Sequence, residues 1–303
     1  MSESQFLIHS SRTSLHSFSP LQNLPSRIGG SSETHSSVQR QYLTMQILTT
    51  PNTLTSRTPG YRNMALQAGV LSSPGGTGAA SKPALLCLHG GGTNSTIFNI
   101  QTIRLQRALS ASFEFVFIDA PFEAPPGPGV MPVFEGCGPF YRWTKLGSDD
   151  MPDETKKLIA DVLARRDKNF VGIIGFSQGA KLAAGVCLEQ QIRASKTADV
   201  KRLGLLKFAV FLNGTSPPLT SMLTAEEKGE LIRIPSVHIV GLQDPWREES
   251  SALFGDSFDK KHSKKIEFDI GHRLPTAEKD TAAIVGEISR LYRETAGRPQ
   301  RYY

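Results

Sequence analysis

Only three cysteines occur in the 303 residues, Cys87, Cys137 and Cys187. So few, odd in number and without a C-x-x-C pair, they exclude a disulfide framework and leave no ligand set for structural zinc. Cys87 falls in an apolar run and Cys187 on an expected helix, so both read as small buried hydrophobes. Long apolar stretches are also missing. Nothing approaches the roughly 18–20 consecutive apolar residues that span a bilayer, and the first thirty residues lack the apolar run of a secretory signal. H-E-x-x-H, calcium-loop and dinucleotide patterns do not occur, so no metal and no cofactor is expected. The run Gly75-Gly76-Thr77-Gly78-Ala79-Ala80-Ser81-Lys82 is not a phosphate loop, because its lysine precedes no Ser or Thr and the run leads into a strand. These absences point to a cytoplasmic chain that needs no membrane.

Acidic residues are scarce at the start. Up to Lys82, six cations (Arg12, Arg27, Arg40, Arg57, Arg62, Lys82) face only Glu3 and Glu33, which places +4 of the net +6 there. The remainder is nearly neutral, and no nucleic-acid partner is expected of it. Residues 1–81 are rich in Ser, Thr, Gly and Pro and show no sustained period, which reads as a disordered extension. Its scattered Arg and Ser resemble a mitochondrial transit peptide, but a basic amphipathic helix is missing, so mitochondrial delivery is the lesser alternative. Met45 and Met64 leave an internal start open.

From Lys82 the texture changes to short apolar runs alternating with helical patterns. Strands are expected at 84–88, 113–118, 170–175, 206–212, 236–240 and 264–268, and helices at 97–110, 153–165, 178–191 and 276–295. Pro275 suits the entry to the last helix. Such alternation implies a mainly parallel central sheet flanked by helices, an α/β domain over 82–296 followed by a short tail, 297–303.

Gly175-Phe176-Ser177-Gln178-Gly179 follows the apolar run Val171–Ile174 and precedes the helical stretch from Ala180. That is the strand, turn and helix context of the G-x-S-x-G elbow of the α/β-hydrolase fold, and it makes Ser177 the candidate nucleophile. A serine hydroxyl needs a base, and in this chain order the acid and then the histidine follow. His272, in Gly271-His272-Arg273-Leu274-Pro275 after the last strand, fits; His238 is mid-strand and His262 lies in a charged run. The orienting acid should leave a neighbouring strand end, as Asp244 does in Gly241-Leu242-Gln243-Asp244-Pro245, with Asp256, Asp259 and Asp269 as alternatives. Oxyanion donors are expected from the amide of Gln178 and from the turn His89-Gly90-Gly91-Gly92, with Gly91 first; His89 is expected to brace that turn.

The chain resembles the FSH-type serine hydrolases, the group with the ovarian-cancer-gene-two-like proteins and many fungal thioesterases and esterases of secondary metabolism. The resemblance runs from Lys82 to Arg293. It rests on Leu88-His89-Gly90-Gly91-Gly92-Thr93-Asn94 with Ile97, Phe98 and Gln101, on Asp119-Ala120-Pro121-Phe122, on Gly136 to Trp143, and on the elbow. The family pattern departs at Ile270, where glycine is expected. The resemblance implies Ser177, Asp244 and His272 as a triad and an acyl-enzyme route on esters or thioesters. One expectation is release of a polyketide or fatty acyl chain from the acyl carrier domain of a polyketide synthase. The alternatives are a carboxylesterase on small oxygen esters and a non-catalytic binding protein that kept the fold. Phe122, Phe134, Phe140, Tyr141 and Trp143 are expected to form an apolar wall for the acyl group.

Overall fold

The computed structural model describes residues 82–148, 150–197, 206–221 and 223–296. The expected extension (1–81) and tail (297–303) lie outside the described residues. In chain order the elements are β1 (Pro83–Leu88), α1 (Ser95–Gln101), α2 (Ile103–Leu109), β2 (Glu114–Ile118), β3 (Phe122–Ala124), β4 (Phe140–Arg142) and α3 (Asp153–Leu163). They continue with β5 (Asn169–Phe176), α4 (Gln178–Ser195), β6 (Phe208–Leu212), α5 (Ala225–Lys228), β7 (Ser236–Gly241), α6 (Arg247–Ser257), β8 (Ser263–Phe268) and α7 (Glu278–Thr295). Six strands form one parallel sheet in the order β2-β1-β5-β6-β7-β8. This is the α/β-hydrolase arrangement expected from the alternating pattern.

The centre of the sheet is buried on both faces because β1, β5 and β6 are apolar at nearly every position, whereas the outer strand β8 carries Lys264, Lys265 and Glu267 and is only half-buried. In β1, Ala84, Leu86 and Leu88 face one core with Ile159 of α3, Leu182 and Ala183 of α4 and Leu253 of α6. Leu85 and Cys87 face the other core, with Phe98 of α1, Leu105 of α2 and Ile284, Ile288 and Leu291 of α7. Alternation of side chains along a strand produces this split. Cys87 and Cys187 are fully buried, and desolvation pushes both thiols up, which fits inert packing. His238 in β7 packs against Phe211, Phe254 and Phe258, and burial pushes its imidazole down to about 3, so it is a neutral core residue.

Four local features differ from the pattern reading, one of them the single-turn helix α5, with a capping box between Thr224 and Glu227. The single helix expected over 97–110 is two helices, broken at Thr102 (φ −94°, ψ 4°), where the Asn99 carbonyl accepts side-chain donors, Gln106 Nε2 at 2.7 Å and the Thr102 hydroxyl at 3.2 Å. Helix α6 was not expected, because Arg247-Glu248-Glu249-Ser250-Ser251 is too polar to show a period and only Ser250 and Leu253 are buried. The β3–β4 hairpin was not expected either, its strands being three residues each. Among the described residues no helix is long and apolar enough to cross a membrane.

The strand order fixes where a site can form. From β1 the chain moves outward to β2, whereas from β5 it proceeds the other way through β6 and β7 to β8. The loops after β1 and β5 therefore diverge at the carboxyl ends of neighbouring strands, the crevice where open α/β sheets bind ligands.

Candidate active site

Ser177 sits in that crevice, between β5 and α4, at φ 53° and ψ −118°. A non-glycine residue in this region is strained, and here the surrounding packing imposes it. A Cβ at Gly175 would lie 2.4 Å from the Gly179 carbonyl, and one at Gly179 would lie 2.2 Å from that of Leu88. Both flanking positions must be glycine for α4 to pack so close to β5 and β1. The serine is consequently lifted out of the strand and remains partly exposed.

Asp244 and His272 meet across 28 residues of chain, with His272 Nδ1 2.7 Å from Asp244 Oδ2. The second carboxylate oxygen accepts the Trp246 amide at 2.8 Å. The Asp244 side chain is fully buried and that of His272 is 10% exposed, so the pair is shielded while the ring keeps an open edge. The imidazole lies between Phe176, the residue before Ser177, and Trp246, at centroid distances of 4.9 and 4.7 Å. Main-chain bonds knit the two loops together: Gln243 N donates to Ile270 O at 2.9 Å, and Leu242 N to Phe268 O at 2.8 Å. Ile270 therefore serves the histidine loop through its backbone, which isoleucine supplies as well as glycine would. A Cβ at Gly241 would come 2.6 Å from the Ile270 carbonyl, so the glycine permits this close approach. The other aspartates are placed elsewhere: Asp256 is exposed on α6, Asp269 accepts from Gln243 Nε2, and Asp259 accepts the Lys261 amide.

The turn after β1 arches over the elbow. A Cβ at Gly90 would be 3.5 Å from Ser177 Cβ, and one at Gly91 would be 3.0 Å from Gln178 Oε1. The Gln178 amide is the first of α4 and has no carbonyl one turn earlier to receive it. His89 braces the turn from below. Its Nε2 accepts the Ala120 amide at 3.0 Å, which places the proton on Nδ1, facing the Gly90 carbonyl at 2.8 Å. Burial pushes this imidazole down to about 4 and keeps it neutral.

The five aromatic candidates divide. Register in the hairpin sets Phe122 opposite Arg142 and Ala124 opposite Phe140, so Phe122 and Phe140 share one face and Tyr141 takes the other. Phe122, Phe134, Phe140 and Tyr141 are half-buried, and Tyr141 packs on the core. Trp143 does not line a wall: it is fully buried, its indole N–H donates to the His89 carbonyl at 2.8 Å, and its ring packs on His89 at 5.0 Å. Its polar tip finds a buried acceptor and its body fills the core, so it supports the turn that covers Ser177. Trp143→Ala is expected to cost about 3–5 kcal/mol of stability. Its remaining activity should fall equally on acetyl and long-chain esters, which melting curves and a chain-length series would measure. A selective loss on long chains would restore Trp143 to the acyl wall.

Two further residues position the site and escaped the pattern reading. Asn94 caps α1 by accepting the Ile97 amide and donates to the Cys137 and Pro139 carbonyls at 2.7 and 3.0 Å. Gly127 donates its amide to Gly92 O at 2.9 Å, and a Cβ there would meet Gly91 O at 2.4 Å. Together they tie both ends of the segment between β3 and β4 to the glycine turn. Asn before an apolar helical start was a visible cap signal; Gly127, inside Pro126-Gly127-Pro128, looked like any turn glycine.

A family model described as "Serine hydrolase (FSH1)" matches residues 79–284. "Probable esterase tazC" of Aspergillus terreus is 35% identical over 251 residues, covering 71% of this chain and 94% of that protein. "Thioesterase FSL2" of Gibberella zeae is 33% identical over 235 residues, with coverage of 68% and 91%. "Esterase FUS5" of Gibberella fujikuroi is 37% identical over 218 residues, with coverage of 70% and 88%.

Proposed function

The chain belongs to the FSH1 serine hydrolase family, and from that membership we propose that Ser177, His272 and Asp244 cleave acyl esters and thioesters through an acyl-enzyme. The observation that carries this reading is the 2.7 Å Asp244–His272 bond beside a strained serine at the strand-to-helix turn. Ser177 Oγ attacks the acyl carbonyl carbon while His272 Nε2 takes its proton, and Asp244 stabilises the imidazolium so formed. The carbonyl oxygen, now negative, is received by the amides of Gly91 and Gln178, each such donor being worth about 2.7–4 kcal/mol. Collapse expels the alkoxide or thiolate, which takes the proton from His272. Water then enters by the same path and frees the acid.

Within this chemistry we assign the acyl group to the face carrying Phe122 and Phe140, and the half-buried Phe134, in the segment between β3 and β4, to the same role. Such a face suits a fatty or polyketide chain, and the relative named a thioesterase supports a thioester substrate; delivery of that thioester by an acyl carrier domain is our extension of this reading. The burial of Trp143 favours the second reading, a carboxylesterase on small oxygen esters, because it removes the largest ring from the wall. Two measurements test the whole. Fluorophosphonate should label the wild-type chain and not Ser177→Ala; a folded chain that never labels is a binding protein. On acyl thioesters of rising length, kcat/KM should climb about fourfold per methylene, from roughly 0.8 kcal/mol each, until the face is covered. A flat or falling series would discard the long-chain reading and leave the small-ester one.

A further inference from the structure

The carboxyl end of β6 carries no side chain of the proposed triad, yet all three of its loops are tied there. The Ser177 amide donates to the Leu212 carbonyl at 2.9 Å. The next residue, Asn213, is 1% exposed and reaches both other loops. Its side-chain Oδ1 accepts the amide of Gly241, three residues before Asp244, at 2.9 Å. Its Nδ2 donates to the carbonyl of Arg273, the residue after His272, at 3.1 Å. Its own amide donates to Ile239 O at 2.8 Å, which anchors it to β7.

We propose that Asn213 is a positioning residue that holds the acid loop and the histidine loop in register with the nucleophile. The backbone at this point explains the residue type. Asn213 has φ 45°, and it shares positive φ with only one other non-glycine residue among those described, Ser177. Asparagine enters this left-handed region more easily than most side chains, and glycine more easily still. Glycine, however, would leave the buried Gly241 amide without its acceptor and the part-buried Arg273 carbonyl without its donor. Asparagine meets both demands, since one planar amide offers an acceptor on one edge and a donor on the other. Rigidity matters here because the Asp244–His272 bond joins two loops that leave different strands. A displacement of about 1 Å at such a site can cost on the order of a hundredfold in rate.

This inference rests on the triad reading, and its test separates the two. Asn213→Gly keeps the backbone conformation and removes both bonds. On an ester substrate kcat should fall about ten- to hundredfold with KM within about twofold, and fluorophosphonate labelling of Ser177 should slow in proportion. Ile288→Val, which trims a buried side chain on α7, serves as the control for lost stability and should keep kcat. Asn213→Asp retains the acceptor for Gly241 and not the donor for Arg273, so its kcat should lie between those of wild type and Asn213→Gly. The proposal is overturned if folded Asn213→Gly turns over like wild type, if KM absorbs the loss, or if neither variant folds, since residue 213 would then be structural alone. Persistent labelling of Ser177→Ala would instead overturn the triad reading itself, whatever Asn213 does.

Discussion

Ser177→Ala should lower kcat by about a millionfold and leave the melting temperature nearly unchanged. Only the hydroxyl group is removed, and the Cβ that suffers the positive φ remains. Ser177→Gly should be equally inactive and melt higher than Ser177→Ala, because glycine accepts this conformation without strain. His272→Ala should match the serine variant in rate, since the two act as a unit and their losses do not add. Burst kinetics with a chromogenic ester would measure all three. Residual turnover above about one per cent in Ser177→Ala, well over the loss expected of a nucleophile, would sink the assignment.

Asp244→Asn should cost roughly ten-thousandfold in kcat while the fold stays intact. The carboxylate accepts on both oxygens, from Trp246 N and at His272 Nδ1. An asparagine must satisfy the main-chain amide with its carbonyl and so turns its NH2 toward the imidazole. Nδ1 then becomes an acceptor, the ring proton moves to Nε2, and the nitrogen that the proposed mechanism uses as base can no longer take a proton. Asp256→Asn, Asp259→Asn and Asp269→Asn should change the rate by less than severalfold, because none of them touches the ring in the arrangement described above. A greater loss in any of these than in Asp244→Asn would mean that the orienting acid had been misplaced.

Much of this was legible because it is local. The elbow is five consecutive residues between a β-period and an α-period, and steric need at Gly175 and Gly179 is already implicit in a turn that tight. His272 and Asp244 each follow a strand signal by a few residues. The role of Trp143 was not legible, since an aromatic run reads the same whether it faces a ligand or a core. The hairpin that carries it is held by partners distant in sequence: Gly92 N donates to Tyr141 O, and Tyr141 N to Thr93 O, at 2.8 and 2.7 Å.

By itself the sequence determined the alternation of strands and helices and the elbow, both of which follow from spacing within a dozen residues, and it offered Asp244 and His272 as partners for Ser177 because each follows a strand signal by a few residues. Only the tertiary structure decided which of four aspartates meets His272, that Trp143 lies beneath the glycine turn, and that Asn213 ties two loops together. The reason is physical. Period and propensity specify an element's faces, whereas contacts between loops depend on strand order, which no single element encodes. With β6 and β7 placed side by side, residues 28 apart in the chain become hydrogen-bonded neighbours at one edge of the sheet.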